Sequence, residues 1–279
     1  MAPISDRGPV FRQLHQSGCF VIPNPWDRGS ARLLVQLGFK ALATTSSGFA
    51  WSMGRADNHV SLQDALTHVR AIADAVEVPV NADFEDGFAR DPIGVAANVW
   101  AAAETGIAGL SIEDSTGDQK APLYEFDLAV ERIKAARRAI DDSGTGVLLT
   151  GRSEGFIAGR PDLVETIRRL VAYADAGADC LYAPGVRAMS DVSAIVSAVA
   201  PKPVNVLVST DFTTVAQLAE VGVRRISVGG ALARAAWTGF LTAAREIATT
   251  GTFATFARNI PVPEMNKLFS PARRHDPSS

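Results

Sequence analysis

Acidic side chains stand at the ends of two apolar segments of this sequence. Val78–Asp83 ends in Asp83, with Glu85 just beyond it, and Gly109–Glu113 ends in Glu113. A carboxylate at the end of a buried strand is costly unless it binds a partner, because an unpaired charge away from water is strongly disfavoured. Oxygen ligands of this kind suit Mg²⁺, with Mn²⁺ as an alternative. The pattern predicts a metal site formed by Asp83, Glu113 and Glu85.

Each acid also has a purely structural interpretation. Asp83 or Glu113 alone could equally cap a helix or pair with a cation. Two acids on successive apolar segments favour the metal site. A zinc site or a Ser-His-Asp triad is not indicated, because no histidine lies at these positions. The four histidines fall in a predicted N-terminal helix, a loop, a helix and the tail: His15, His59, His68 and His275.

Other polar side chains follow the remaining apolar segments. Arg152 follows Val147–Gly151, where it could neutralise Glu113 or bind a substrate carboxylate through two hydrogen bonds. The small residues at 46–48 could form an ordinary turn or bind an anion. The predicted substrate-binding residues are Ser46, Ser47, Gly48, Trp26, Arg152 and Asn205.

One pattern recurs eight times: a short apolar segment, a polar loop, a longer amphipathic segment, then Gly or Pro. Apolar strands alternating with helices predict a parallel sheet covered on both faces. Eight such units predict an α/β protein with a (β/α)8 TIM barrel, whose active site lies at the carboxyl ends of the strands. An open doubly wound sheet is the alternative, but no Gly-x-Gly-x-x-Gly follows the first strand. The apolar segments are Phe20–Pro23, Ala41–Thr45, Val78–Asp83, Gly109–Glu113, Val147–Gly151, Cys180–Ala183, Val204–Val208 and Ile226–Val228.

The two ends of the chain add to this barrel. A short N-terminal helix is predicted over roughly 5–16, and the whole chain, 1–279, is predicted to form one barrel domain. The extension 251–279 contains too many apolar side chains for a free tail, among them Phe253, Phe256 and Phe269. We expect it to pack on a neighbouring subunit, which predicts a homo-oligomer, a dimer or a tetramer.

Composition and charge exclude several classes of protein. The chain is 47% hydrophobic and 20% charged, which is ordinary for a globular protein. A net charge of −3 gives no basic surface for nucleic acid. No apolar run is long enough to span a bilayer and no signal sequence is recognisable, so a cytoplasmic protein without a membrane partner is expected. Cys19 and Cys180 lie far apart and are expected to be reduced and mostly buried.

The motifs resemble one known group in their order along residues 10–270, the isocitrate lyase/phosphoenolpyruvate mutase superfamily. The segments that carry the resemblance are Asn24-Pro-Trp-Asp27, Thr45-Ser-Ser-Gly48, Gly54-Arg-Ala-Asp57, Asn81-Ala-Asp83, Ser111-Ile-Glu-Asp114 and Gly151-Arg152. The resemblance implies a barrel that uses Mg²⁺ to cleave or form C–C or P–C bonds beside a 2-oxo acid. It also implies tetramers that exchange their last helices.

The same resemblance implies roles for individual residues. Asp83 and Glu113 would hold Mg²⁺, directly or through water, and residues 46–48 would bind the substrate carboxylate. Asp57 would lie on a mobile gating loop and Arg152 would contact the substrate. The implied catalytic residues are Arg152, Asp57 and Glu113.

The chain departs from the family pattern in two places. Asn81 stands where relatives often have an acid. The stretch Ser115–Tyr124 replaces the Lys-Lys/Arg-Cys-Gly-His loop of the isocitrate-cleaving lyases and contains neither Cys nor His. The Lys-Thr-Asn-Ser loop of the mutases is also missing. The departures predict poor cleavage of isocitrate and methylisocitrate.

These observations predict a Mg²⁺-dependent lyase for a small 2-oxo (or 2-hydroxy) dicarboxylate, acting through an enolate, with oxaloacetate-like compounds as the first guess. P–C bond chemistry on a phosphonopyruvate-like substrate is one alternative. A barrel that binds 2-oxo acids with little catalysis is another. The residues identified so far do not include a proton donor.

Overall fold

Eight parallel strands form a nearly closed barrel in the computed structural model, which describes residues 7–270. They pair in the order β1-β8-β7-β6-β5-β4-β3-β2. The strands are β1 Phe20–Ile22, β2 Leu42–Ala43, β3 Val80–Asp83, β4 Gly109–Glu113, β5 Leu148–Arg152, β6 Cys180–Tyr182, β7 Val204–Leu207 and β8 Arg225–Ser227. The predicted (β/α)8 architecture is confirmed.

Helices follow the strands as expected. They are α1 Arg7–Leu14, α2 Arg28–Gln36, α3 Ser46–Ser52, α4 Leu62–Ala75, α5 Pro92–Ala103, α6 Phe126–Ser143, α7 Leu163–Asp175, α8 Met189–Val199, α9 Val215–Glu220, α10 Ala231–Thr250 and α11 Val262–Phe269, with a 3-10 helix at Ala254–Arg258. Asp91 caps α5 by accepting from the Gly94 amide, and Pro92 occupies the first turn, where no N–H is needed. Helix α3 was not expected, because residues 46–48 resemble a turn.

Asn24 closes the seam of the barrel between β1 and β2. The Ala43 amide donates to the carbonyl of the residue before Asn24 at 3.1 Å. The Asn24 amide nitrogen donates to the Thr44 carbonyl at 2.8 Å, and its oxygen accepts from the Val228 and Gly229 amides, both at 2.9 Å. One side chain therefore links the ends of three strands.

The strands alternate between an apolar outer face and a polar interior. On β4, Leu110 and Ile112 pack outward into the helix layer, whereas Ser111 and Glu113 face inward. Burial of the outer face stabilises the fold through the hydrophobic effect. The other strands place polar side chains inside the barrel: Asn81, Thr150, Asn205 and Arg225. The interior is therefore polar enough to hold a polar ligand.

Helix α1 covers the amino-terminal end of the barrel. Phe11 is fully buried and makes edge contacts with His15 and Phe20. Gly109 makes room for it, since a Cβ there would lie 2.7 Å from the Phe11 ring. Arg7 donates to carbonyls at the end of α4. The predicted helix began near residue 5, which lies outside the described residues.

The chain divides into two compact units, one ending at Leu232 and one beginning at Ala233. The second unit contains most of α10, the 3-10 helix and α11, and many of its large apolar side chains are exposed. Packing of 251–279 on a neighbouring subunit stays a prediction. Across residues 7–270, none of the helices has the length and apolar character needed to cross a membrane. Cys19 and Cys180 are both free thiols.

Candidate functional site

A cavity of about 170 Å³ opens among the carboxyl ends of the strands. Six of the residues predicted for the site line it: Ser46, Ser47, Asp57, Asp83, Arg152 and Asn205. They come from β3, β5 and β7 and from the segments that follow β2. The cavity therefore lies at the end of the barrel where the sequence places the chemistry.

Arg152 lies among three carboxyl groups. Its Nη1 is 3.1 Å from Asp83 Oδ1 and 3.1 Å from Glu113 Oε2. Its Nη2 donates to Glu154 Oε2 at 3.1 Å, and its Nε donates to Glu154 Oε1. The two contacts to Glu154 form a fork that fixes the plane of the guanidinium. The contact between Arg152 and Glu113 that the sequence allowed is present.

The cluster contains more potential negative charge than positive charge. Burial raises the pKa of Glu113 well above its usual range, although Arg152 opposes the rise. Burial likewise raises the pKa of Glu154 to about 7. One guanidinium cannot compensate three carboxylates, so carboxyl groups here retain protons unless further positive charge arrives.

This donor set fits a divalent cation. Within residues 7–270, no group of three or more His, Cys, Asp or Glu side chains is arranged to hold a metal ion. However, Asp83 Oδ1 and Glu113 Oε2 both contact Arg152 Nη1. One oxygen of each carboxyl group is therefore directed to the same place. Mg²⁺ needs only one or two protein carboxylates when water and substrate oxygens complete its shell. A dication would also offset the excess negative charge.

The position of Asp83 is fixed from two sides. Its Oδ2 accepts from the Ser46 amide at 3.0 Å and from the Ser46 hydroxyl at 2.9 Å. Its own amide donates to Thr44 Oγ1 at 2.9 Å. Asp83 therefore presents the opposite oxygen to Arg152, and this arrangement links β3 to the start of α3.

Residues 46–48 form the first turn of α3. Thr45 caps this helix, and its hydroxyl accepts from the Gly48 amide at 3.3 Å. Ser46 and Ser47 line the cavity, whereas Gly48 and Trp26 do not. Gly230 allows the loop after β8 to approach α3 closely, because a Cβ there would lie 2.8 Å from Ser47 Oγ. Substrate binding by these residues stays a prediction.

Asp57 and Glu85 occupy different surroundings. Asp57 reaches the cavity from the exposed segment after α3, and burial of its carboxyl, with Asp83 nearby, raises its pKa. Glu85 does not line the cavity. Burial and the neighbouring Asp83 raise the Glu85 pKa to about 8, and its backbone is left-handed at a φ of 46°. Its carbonyl accepts from the Glu113 amide at 3.0 Å.

Asp114, which follows Glu113 in the sequence, holds the segment that carries Glu154 in place. Asp114 Oδ1 accepts from the Glu154 amide at 2.7 Å. Its Oδ2 accepts from the Tyr173 hydroxyl at 2.6 Å and from Arg169 Nη1 at 3.1 Å. All four residues are buried. Asp114 therefore positions the segment that carries Glu154 and does not face the cavity.

The segment Ser115–Tyr124 folds back on itself beside the site. Ser115 and Leu123 form an antiparallel bridge, and the Thr116 amide donates to the Pro122 carbonyl at 3.0 Å. Lys120 is exposed. The hairpin therefore orders this stretch, which contains neither Cys nor His.

Several residues at the site were not assigned a role from the sequence. Tyr182 and Ser227 line the cavity, and Glu154 contacts Arg152. Arg225 lies deeper, 3% exposed, and donates to Asn205 Oδ1 at 2.9 Å and Thr150 Oγ1 at 3.0 Å. In the described chain no carboxylate forms an ion pair with Arg225. Strand alternation is the sequence signal that could have identified Ser227 and Arg225, which are two residues apart.

Comparison with known proteins agrees with this geometry. Residues 11–248 match the family model of phosphoenolpyruvate phosphomutase. An uncharacterized protein of Mycobacterium tuberculosis is 33% identical over 78% of this chain and 81% of its own. The oxaloacetate decarboxylase of Paraburkholderia xenovorans is 28% identical over 71% of this chain and 68% of its own.

A solved structure is also similar. A Burkholderia cenocepacia protein provisionally described as a lyase/mutase superposes with a TM-score of 0.92 and 45% identity, over 96% of this chain and 97% of that one. The family match spans most of the sequence and contains every strand of the barrel. The chain belongs to the phosphoenolpyruvate phosphomutase family, within the isocitrate lyase/phosphoenolpyruvate mutase superfamily that its motifs resemble.

Proposed function

We propose that this protein is a Mg²⁺-dependent lyase that cleaves a C–C bond of a small 2-oxo (or 2-hydroxy) dicarboxylate through an enolate. The observation that carries the proposal is the contact of Arg152 with both Asp83 and Glu113. Arg152 and Asp83 line one small cavity with Ser46 and Ser47, and Glu113 reaches this group through Arg152. This set combines a carboxylate-binding cation with oxygen ligands for a metal. Mn²⁺ would suit the same ligands.

The roles follow from what each side chain can do. Asp83 and Glu113 would hold the metal, which supplies positive charge to the oxygen of the developing enolate. Arg152 offers planar N–H donors that orient a substrate carboxylate, while its fork on Glu154 keeps it in place. The hydroxyls of Ser46 and Ser47 would bind the same anion. Asp57 would exclude water at the cavity mouth.

An oxaloacetate-like compound is the substrate class that we favour. The oxaloacetate decarboxylase of P. xenovorans supports it, as does the hairpin Ser115–Tyr124, which has no Cys or His to act on isocitrate-like compounds. Decarboxylation needs no general acid at the departing group, because CO₂ leaves without a proton. The reaction is therefore compatible with the residues present.

A substrate panel tests the proposal. Purified protein should release CO₂ or an aldehyde fragment from at least one 2-oxo dicarboxylate with Mg²⁺ or Mn²⁺, and EDTA should stop the reaction. Turnover of phosphonopyruvate alone would favour P–C chemistry instead. Thermal stabilisation by 2-oxo acids without any turnover would favour a binding protein. Either result would contradict the proposed lyase.

A further inference from the structure

Tyr182 is the last residue of β6 and points into the barrel. Its neighbour Leu181 packs outward in the apolar layer, so alternation places the Tyr182 ring inside. The side chain lines the cavity and is only 8% exposed. Its ring centroid lies 5.2 Å from the guanidinium carbon of Arg152. The phenol therefore faces the space in which Arg152 would hold a substrate.

A chain of hydrogen-bond donors leads from the buried guanidinium of Arg225 towards this phenol. Arg225 Nε donates to Asn205 Oδ1 at 2.9 Å, which fixes the orientation of the Asn205 amide. The Asn205 amide nitrogen then donates to Ser227 Oγ at 2.9 Å. Ser227, having accepted this hydrogen bond, keeps its own proton, and its neighbour on the cavity wall is the Tyr182 side chain. The bonds from Arg225 to Asn205 and from Asn205 to Ser227 run in the same direction because Arg225 can only donate.

This direction leaves the Tyr182 proton available. Ser227 lies beside Tyr182 on the cavity wall and can donate to the phenol oxygen, which leaves the phenol O–H to point into the cavity. The hydroxyls of Ser46 and Ser47 have other roles: Ser46 donates to Asp83, Ser47 bonds with Thr45 at 3.1 Å, and both would turn to the substrate carboxylate when it binds. Three carboxyl groups of the site contact Arg152.

We propose that Tyr182 is the catalytic acid that protonates the enolate carbon, and that Ser227, Asn205 and Arg225 are positioning residues that polarise it. This inference rests on the proposed function. Loss of CO₂ leaves an electron pair on the enolate. That pair takes the phenol proton, so that a C–H bond forms and the O–H bond breaks. The phenolate is stabilised by Ser227 and Arg152 and regains a proton from water.

The surroundings of the Tyr182 phenol favour proton transfer only after CO₂ has left. Burial raises the pKa of Tyr182 to about 12, while Arg152 and Ser227 oppose the rise. The proton therefore stays on the oxygen until a strongly basic carbon forms beside it. Asp57 is the competing donor at the cavity mouth, because burial and Asp83 also raise its pKa.

Product stereochemistry separates protonation from bond cleavage. A 3-methyl-substituted 2-oxo dicarboxylate, mixed with enzyme and Mg²⁺ in D₂O and quenched before its own C3 hydrogen exchanges with solvent, gives a product with one deuterium at its C3. A positioned donor delivers deuterium to one face, whereas an enolate protonated in solution gives a racemate. The wild-type protein should give one enantiomer. Tyr182→Phe should still release CO₂ but give a racemic product.

Further variants test the role of Ser227 beside Tyr182. Ser227→Ala should lower the enantiomeric excess, and Ser227→Thr, which keeps the hydroxyl, should restore it. Tyr124→Phe is the matched control, because that phenol donates to Asp86 and does not line the cavity; its product should stay enantiopure. Oxalate, a planar dianion that resembles the enolate, should stabilise Tyr182→Phe against heat as much as wild type.

Each other outcome overturns the inference. An enantiopure product from Tyr182→Phe, or a racemate from Asp57→Asn alone, would place the donor elsewhere. A racemate from wild type would show that no side chain delivers the proton, although the lyase would stand. Loss of CO₂ release from Tyr182→Phe with oxalate binding intact would place Tyr182 in the cleavage step. A wild-type protein without turnover would overturn both proposals.

Discussion

At the scale of single residues, Arg152 determines what the site can bind. Its guanidinium satisfies Glu154 through two hydrogen bonds and still contacts Asp83 and Glu113. A half-buried arginine with this many carboxyl partners would serve only to hold the fold together if the charges balanced. They do not balance, because three carboxyl groups share one guanidinium. Burial is the main cause of the raised pKa of Glu113, and the neighbouring Glu154 and Asp83 add to it. The imbalance is what makes the cluster a candidate metal site.

Removing one carboxylate should abolish metal binding. We expect Asp83→Asn and Glu113→Gln to lower metal-dependent turnover by about 100-fold or more, because a preorganised charge in the site is lost. The increase in melting temperature on adding Mg²⁺ should disappear as well. Asp118→Asn, in the exposed part of the 115–124 hairpin, is the control and should behave as wild type. Wild-type turnover and metal stabilisation in either site variant would exclude that residue as a ligand.

His15 should make stability depend on pH. Burial, together with Arg225, lowers its pKa to about 3, whereas an unfolded imidazole titrates near pH 6.5. The unfolded chain therefore binds more protons between these values, so the free energy of unfolding should fall as pH decreases through this window. The slope from one such group is about 1.4 kcal/mol per pH unit. His68, whose pKa burial lowers to about 4, adds to the slope.

Chemical denaturation between pH 4 and pH 7 measures this effect. His15→Gln cannot titrate and should give a shallower decline than wild type, whereas His59→Gln, in an exposed loop, should keep the wild-type slope. An unchanged slope in His15→Gln would show that His15 is not held neutral in the folded protein.

At the scale of elements, the cavity is formed by the ends of strands together with the start of helix α3. Helix α3 begins at the end of β2 because Thr45 caps it, and the first turn of α3 also holds Asp83. The loop after β8 can pass close to α3 only because Gly230 has no side chain. The shape of the site therefore depends on contacts between elements that are distant in sequence.

Gly230→Ala should damage the site more than the fold. The new Cβ would lie 2.8 Å from Ser47 Oγ and 3.1 Å from the Trp51 ring, so α3 must shift. We expect turnover to fall by about tenfold or more with a stability loss of about 1–3 kcal/mol, as in other overpacked sites. Steady-state kinetics and urea denaturation measure the two effects.

Gly239→Ala is the matched control for this change. Gly239 lies inside α10, and a Cβ there has no atom within 4 Å. It should keep full turnover and gain up to about 1 kcal/mol of stability, since Ala favours a helix more than Gly. A Gly230→Ala variant with normal kinetics would show that the approach of the loop after β8 to α3 is not critical.

At the scale of the whole molecule, the second unit points to assembly. Helix α10 and the residues after it expose large apolar side chains, with Phe240 and Phe253 each 60% exposed. A soluble monomer rarely exposes so many, because burying them in an interface is favourable. We propose that this unit packs on another subunit of a homo-oligomer. The exchange of helices implied by the resemblance is the form that we expect.

Charged substitutions in the second unit should dissociate the oligomer. Phe240→Asp combined with Phe253→Asp should shift the mass measured by light scattering towards 29.5 kDa, the mass of one chain. Val164→Glu is the control: Val164 is 79% exposed at the start of α7, where an acid is favourable. A wild-type protein that is already a monomer would contradict the proposed assembly.

The order of apolar and polar segments along the chain is enough to predict the barrel and the end of it at which the site lies. Eight apolar segments alternating with helices allow few other arrangements, and residues such as Asp83, Glu113 and Arg152 end their strands whatever the details of packing. Covalent order and side-chain alternation are local properties, so they can be read without coordinates.

Which polar groups bond with one another depends on how remote segments of the chain pack. Asn24 joins strands at opposite ends of the chain, and Arg225 reaches Asn205 and Thr150, the latter 75 residues away. The Gly48 amide, which could have bound an anion, is capped by Thr45. Such partners depend on distances of a few ångströms between remote segments, which no local pattern records. For the same reason, the sequence does not reveal the chain of hydrogen-bond donors that leads from Arg225 towards Tyr182.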